Sequence, residues 1–161
     1  MSNPNYIHLT WNDIQSSCIN ICYHMSLYDY KPDYIIGLMK GGVVPARIFA
    51  DYFNVRFDFY TLNVSLYSGI NKRDKLVIQD FNIKMNNKKV LIVDDILDSG
   101  KTMLGVLKYL KNKKTDFKTA TLYWKETALT KPDYYDQIAL KNDWVVFPWE
   151  TYEFKRELKG E

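Results

Sequence analysis

The stretch from Lys88 to Thr102 constrains the fold more than any other. Lys88-Lys89-Val90-Leu91-Ile92-Val93 runs straight into Asp94-Asp95-Ile96-Leu97-Asp98-Ser99-Gly100-Lys101-Thr102. The apolar half reads as a strand buried on both faces. The polar half sets three carboxylates and a glycine ahead of a helix over Thr102 to Lys114. There Met103, Leu104, Val106, Leu107 and Leu110 form an apolar stripe at helical spacing. Lys108, Lys111, Lys113 and Lys114 gather toward the end of that helix, where positive charge complements the helix dipole. Strand, polar loop and helix in this order make half of a parallel crossover unit.

The alternation recurs along the chain. Thr10 and Asp13 have capping-box spacing, and Trp11, Ile14, Cys18, Ile21, Cys22 and Met25 follow at steps of three and four, predicting an amphipathic helix. Tyr34 to Met39 is a short apolar strand broken by Lys40-Gly41-Gly42. Val43 to Phe53 is a helix, with Pro45 tolerated in its first turn. Val55 to Val64 is strand-like, Ser65 to Lys75 has no period and reads as an exposed, mobile loop, and a short strand is expected near Leu76 to Asp80. Thr119 to Trp124 is a further strand, and the aromatic segment from Lys125 reads as an irregular cap.

The expectation is an α/β fold: a mainly parallel twisted sheet of about five strands flanked by helices, with a small hood from the C-terminal and N-terminal segments over the strand carboxyl ends. One domain over 1–161 is expected, its core over about 34–124 and its hood over about 125–152. Ligands in such sheets bind at strand carboxyl ends. Two of those ends here carry unusual chemistry, Lys40-Gly41-Gly42 and Asp94 to Thr102.

Composition narrows the partners. A 47% apolar and 16% aromatic chain is not disordered, and a net charge of +3 is a weak footprint for nucleic acid. No apolar run approaches the roughly 20 residues of a membrane-spanning helix. Cys18 and Cys22, four apart on one helix face, read as reduced packing thiols, in keeping with a cytoplasmic protein.

The acidic stretch resists three simpler readings. A Walker A loop ends in the same Gly100-Lys101-Thr102 but needs a glycine where Asp95 stands. An EF-hand loop laid over Asp95 to Gly100 puts Leu97 at a ligand position and lacks its final Glu. A helical Asp-Asp-x-x-Asp set is broken by Gly100 and follows a strand. What fits is a phosphorylated sugar. Amides of Asp98 to Thr102 at a helix start, with the Ser99 and Thr102 hydroxyls, cradle a phosphate, while Asp94 and Asp95 accept from sugar hydroxyls. Bound Mg²⁺ with a pyrophosphate group would offset the acids.

VLIVDDILDSGKTM closely resembles the phosphoribosyl-pyrophosphate signature of the type I phosphoribosyltransferases, and the chain from about Tyr34 to Glu150 resembles their 6-oxopurine branch. The resemblance implies Mg²⁺-dependent transfer of a 5-phosphoribosyl group to guanine, hypoxanthine or xanthine, with pyrophosphate released. Lys40, Gly41 and Gly42 would form the pyrophosphate loop, with a cis peptide between Met39 and Lys40. Asp94, Asp95, Asp98, Ser99, Gly100, Lys101 and Thr102 would bind the sugar pyrophosphate, with Asp98 also the general base. Lys125 would donate to the purine's six-position oxygen, Trp144 would stack on the base and Val145 backbone would read its edge. Trp149 fits core packing as well as base contact. Ser65 and Tyr67 would belong to a loop that closes over the reaction centre. Metal would be held through Asp94, Asp95 and Glu150, mainly by way of substrate or water; Glu150 stands where the family usually has Asp. The family's homodimers and homotetramers are the expected assemblies. The competing expectation is a regulator that senses phosphoribosyl pyrophosphate and binds nucleic acid; the intact Asp98 and Lys125 speak against it.

Overall fold

The computed structural model describes residues 4–68, 74–79, 83–111 and 115–160. Strand β1 (Asn5–His8) precedes helix α1 (Trp11–Leu27), then β2 (Tyr34–Met39), α2 (Val43–Tyr52), β3 (Phe59–Ser68) and β4 (Asp74–Ile78). There follow β5 (Lys89–Leu97), α3 (Lys101–Leu110), β6 (Asp116–Lys125), β7 (Tyr134–Ala139) and β8 (Asp143–Val146). A 3₁₀ turn (Pro148–Glu150) leads into α4 (Thr151–Lys159).

The main sheet has six strands in the order β4-β3-β2-β5-β6-β7, parallel except for β4. From β2 the chain moves outward to β3; from β5 it moves the other way through β6 to β7. The topological switch therefore lies between β2 and β5, and both unusual loops sit at it. On β5 four successive side chains, Val90, Leu91, Ile92 and Val93, are fully buried. Leu91 and Val93 join a core under α1 and α2, while Val90 and Ile92 join a second core under α3. An unbroken apolar run is what a strand covered on both faces requires. No helix among the described residues is long and apolar enough to cross a membrane.

α1 starts as its sequence demands. Thr10 Oγ1 accepts from Asp13 N (3.3 Å) and Asp13 Oδ2 accepts from Thr10 N (2.7 Å), the reciprocal pair of a capping box. Ile14, Cys18, Ile21, Cys22 and Met25 are buried. Trp11 is a correction: it stays 59% exposed, its ring 5.9 Å from that of Trp149.

Other corrections concern partners distant in sequence. Ser65 and Tyr67 belong to β3, and Asp74 and Lys75 to β4, which pairs antiparallel with β3 in the register Ser65↔Val77 and Tyr67↔Lys75. The loop expected over Ser65 to Lys75 is thus largely a pair of strands, formed because backbone pairing satisfies amides whatever the side-chain pattern. Residues 69–73 of that loop, together with Asp80, Lys113 and Lys114, lie outside the described residues. The β3 strand begins at Phe59 rather than Val55, and β5 carries Asp94 and Asp95 on the strand itself, opposite β6, rather than in a loop.

The segment after Lys125 is not irregular. β7 extends the sheet, anchored by Asp133, whose Oδ2 accepts from Thr119 N (2.8 Å) and Oγ1 (2.9 Å) while Oδ1 pairs with Lys118 (2.9 Å). Asp136 on β7 accepts from Ser17 (2.7 Å) and Asn20 (3.0 Å) of α1. β8 pairs in parallel with β1 in the register Tyr6↔Trp144 and Ile7↔Val145. The Asn5 side chain donates to Asp143 Oδ1 at 2.9 Å, locking that small sheet. Together with the 3₁₀ turn and α4 it forms the hood.

Candidate active site

At the end of β2 the peptide bond Met39–Lys40 is cis, as the family resemblance implies. Gly42 N donates to Leu38 O at 2.9 Å, turning the chain at once into α2. The glycines answer to close approach. A Cβ on Gly41 would strike the Asp95 carboxylate, and one on Gly42 would run into Val93 O, Asp94 Cα and Leu38 N. The β2 and β5 loops are therefore pressed backbone to backbone, and α2 begins with no side chain capping its first amides. Lys40 and Gly41 border a cavity of about 460 Å³ that also meets Asp94, Asp95 and Ser65.

The adjacent acids sit in a site that resists their ionisation. Burial, then the neighbouring charge of Asp95, pushes the Asp94 carboxyl well above its ordinary range. Burial raises Asp95 too, against a hydrogen bond from Ile96 N (2.7 Å) that favours its charged form. The Trp149 indole beside Asp95 pulls in the same downward direction, although its buried N–H completes no hydrogen bond. Glu150, half-buried at the end of the 3₁₀ turn, is lifted to about 7 by burial and by Asp95. Carboxylates crowded this way are relieved by a hard cation with oxygen ligands. Among the described residues no three acids, histidines or cysteines converge as a ready-made metal cage. The donor set thus fits a Mg²⁺ ion that takes part of its coordination from water or from a bound ligand.

Beyond β5, Asp98 and Ser99 bend away and Gly100, at φ +79°, turns the chain into α3. Gly100 is required on two counts, its left-handed conformation and its approach to Leu129 N (3.2 Å from an added Cβ). Ser99 Oγ accepts a long contact from Lys101 N (3.4 Å), and Ser99 O accepts from Leu129 N (3.0 Å). The turn after β6 thus buttresses this loop. A notch of about 90 Å³ there is lined by Asp98, Ser99, Gly100 and Thr102 among others. α3 begins at Lys101, so its free amides face that notch.

Lys125 ends β6, one strand over. Its Nζ lies 3.0 Å from Asp98 Oδ1, the lysine side chain 14% exposed and the aspartate 65%. Both border a cavity of about 230 Å³ with Ile96, Trp144, Val145, Phe147 and Glu150. Trp144, half exposed on β8, forms one wall; Val145 is buried. Trp149 instead stacks on Phe147 (4.9 Å, 12°) against the core and lines none of these three cavities. The three cavities adjoin one another through shared walls. Asp94 and Thr102 border the first and the notch, Asp98 and Ile96 the notch and the third, and Trp144 and Glu150 the first and the third.

The structure thus brings Lys40, Gly41, Asp94, Asp95, Asp98, Ser99, Gly100, Thr102, Lys125, Trp144, Val145 and Glu150 to one cleft, with Gly42 packed directly behind it. Lys101 opens α3 at its edge with an exposed side chain, and Ser65 reaches it from β3; for Tyr67 the backbone alone is described. Sequence reasoning missed Asn63 and the α4 residues Glu153, Phe154 and Glu157, which border the cavity beside Lys40. The signal was available: Glu150, Glu153 and Glu157 recur at steps of three and four, one face of a helix.

Comparison with known proteins agrees with this geometry. The family described as "Phosphoribosyl transferase domain" matches residues 11–154. Among curated relatives, the xanthine-guanine phosphoribosyltransferase of Idiomarina loihiensis is 31% identical over 119 residues, 73% of this chain and 71% of its own length. The enzyme of the same name from Cereibacter sphaeroides is 26% identical, over 89% of this chain and 86% of its own. Among solved structures, a purine phosphoribosyltransferase from Pyrococcus horikoshii superposes with a TM-score of 0.79 at 30% identity, covering 89% of this chain and 93% of that one. The family match over residues 11–154 and relatives that cover most of its length place the chain in the phosphoribosyl transferase family, on the 6-oxopurine branch of type I.

Proposed function

We propose that this purine phosphoribosyltransferase transfers the 5-phosphoribosyl group of phosphoribosyl pyrophosphate to guanine, hypoxanthine or xanthine, in the presence of Mg²⁺, as one domain over 1–161. The observation that carries the reading is the Lys125–Asp98 pair, 3.0 Å apart across two strand ends, in the cavity walled by Trp144. One residue offers a donor and the other an acceptor to the same small planar ligand, as a base with an exocyclic carbonyl oxygen and a removable ring proton requires.

The base would stack on Trp144, with Lys125 donating to its six-position oxygen and Val145 backbone meeting its edge. Asp98 would accept the imidazole proton as the ring nitrogen bonds to the sugar's anomeric carbon and the bond to pyrophosphate breaks. Positive charge gathers on the sugar ring as that bond lengthens. The 5-phosphate would occupy the notch at the start of α3, held by amides from Asp98 to Thr102 and by the Ser99 and Thr102 hydroxyls. Asp94 and Asp95 would accept from the ribose hydroxyls. Lys40 and the amides of Gly41 and Gly42 would take the leaving pyrophosphate. Mg²⁺, held by the substrate's oxygens and by Asp94, Asp95 and Glu150 directly or through water, would supply charge neutralisation to the departing group. Ser65 borders this side, and the strand end at Ser65 and Tyr67 would help exclude water.

A coupled assay tests the reading: protein, phosphoribosyl pyrophosphate and each of guanine, hypoxanthine, xanthine, adenine and uracil, with Mg²⁺ or with a chelator. Turnover of one or more 6-oxopurines that needs Mg²⁺ and collapses in Asp98→Asn is expected. Tight binding of the sugar pyrophosphate with no turnover of any base would instead favour the regulatory reading.

A further inference from the structure

Among the described residues three buried side-chain polar atoms meet no hydrogen-bond partner within the protein: Trp149 Nε1, Thr121 Oγ1 and Tyr30 Oη. Tyr30 sits against Tyr134 and Lys89 at the amino ends of their strands, remote from the cleft. The other two stand behind the paired acids, one on each face of β5. Trp149 packs on the face under α1 and α2, its ring on Phe147 and its indole beside the Asp95 carboxylate. Thr121 belongs to the opposite face. Ala120 and Leu122 point into the core under α1 and α2, so the residue between them points toward α3. Asp94 follows Val93 of that same core and so turns the other way, bordering the notch with Thr102 and Met103 of α3. Thr121 and Asp94 are direct neighbours in the register of β5 and β6, where strands lie about 4.8 Å apart.

We infer that Trp149 and Thr121 are positioning residues: in the ligand-bound enzyme the indole N–H donates to Asp95 and the threonine O–H donates to Asp94, fixing the two carboxylates against the ribose hydroxyls. The inference rests on the function proposed above. Each acid accepts from the next amide of its own strand, Asp94 Oδ1 from Asp95 N (3.1 Å) and Asp95 Oδ1 from Ile96 N (2.7 Å). Such a bond alone leaves a carboxylate plane free to pivot, and a second donor from behind holds it. A buried donor without an acceptor destabilises a fold, so two of them at the backs of the two sugar-binding acids call for a use. Neither atom reaches solvent, which leaves the acids as the acceptors within a short side-chain movement.

Two measurements on the full chain test the inference, each with phosphoribosyl pyrophosphate and Mg²⁺ as the probe. Thr121→Val keeps the shape and deletes the donor. Its thermal midpoint without ligand should equal or exceed that of the wild type, since no bond is lost there. KM for phosphoribosyl pyrophosphate should rise about 10-fold, with kcat and KM for the base within about two-fold, and Thr121→Ser should restore it. A residue that merely packs would lower the midpoint and spare the KM. The four tryptophans give four indole N–H signals in a proton–nitrogen NMR spectrum, and Trp149→Phe identifies the one from Trp149. Saturating probe should move that signal downfield, the direction of a new hydrogen bond. The signal of Trp124, which already donates to Thr130 O (3.3 Å), should hold still. An unchanged KM in Thr121→Val, or a Trp149 signal unmoved in a protein that binds the probe, would overturn the inference. A protein that neither binds the probe nor turns it over would overturn the function proposed above, and the inference with it.

Discussion

The two loops at the topological switch are built on opposite principles. The loop after β2 is defined by what its residues lack: Gly41 and Gly42 have no side chain because β5 occupies the space. The loop after β5 is defined by what its residues carry, carboxylates, a hydroxyl and an αL glycine that aims them. One loop gives up side chains so that backbone amides can reach a ligand. Beside it, the end of β5 and the 3₁₀ turn carry charge that the fold itself does not need, since burial works against Asp94, Asp95 and Glu150 alike. Substitutions should therefore damage the first through stability and the second through chemistry.

The largest effect is expected at Gly42. Its added Cβ meets backbone on three sides, which cannot yield, so Gly42→Ala should cost about 3 kcal/mol or more in a urea titration. Asp98→Asn should do the reverse: turnover falls by about 10²- to 10⁴-fold while the urea midpoint stays within about 0.5 kcal/mol of the wild type. Equal losses of stability in the two variants would erase the distinction. Gly41→Ala stands between them, because its Cβ meets the Asp95 side chain, which can rotate. It should fold, yet lose roughly 10²-fold in turnover through displaced groups. Lys125→Ala should raise KM for the base about 10- to 100-fold, the worth of one charge-assisted hydrogen bond.

The smallest effect sharpens the electrostatic side. Glu150 titrates at about 7 in the fold, against 4.5 for an ordinary glutamate, so the native state holds the proton more tightly than the unfolded one. Stability then declines as pH climbs through that interval. Glu150→Gln should match the wild type in thermal midpoint below pH 4.5 and exceed it by a few degrees above pH 7. A difference that shrinks with rising pH would contradict this sign.

What was legible in the sequence is what depends on near neighbours. The Thr10–Asp13 box, the buried quartet Val90 to Val93 and the breaks at Gly41-Gly42 and Gly100 are each settled within a few residues. So are the acids, although β5 runs on through them because β6 pairs as far as Leu97↔Trp124. What stayed hidden depends on remote partners. β7 is a strand because Asp133 grips Thr119 and Asp136 receives α1, and β8 exists because β1 lies beside it. The strand character of Ser65 to Ser68 comes from Asp74 to Ile78. The α4 carboxylates required knowing that a helix after the 3₁₀ turn comes back over the cleft.

The small β1–β8 sheet has a temporal meaning. Asn5 must await Asp143, 138 positions later, before its hydrogen bond can form, and Trp144 sits in the register it completes. Long closures of this kind are slow to find. On a ribosome the wall of the third cavity, against which a base would be pressed, is therefore among the last surfaces finished.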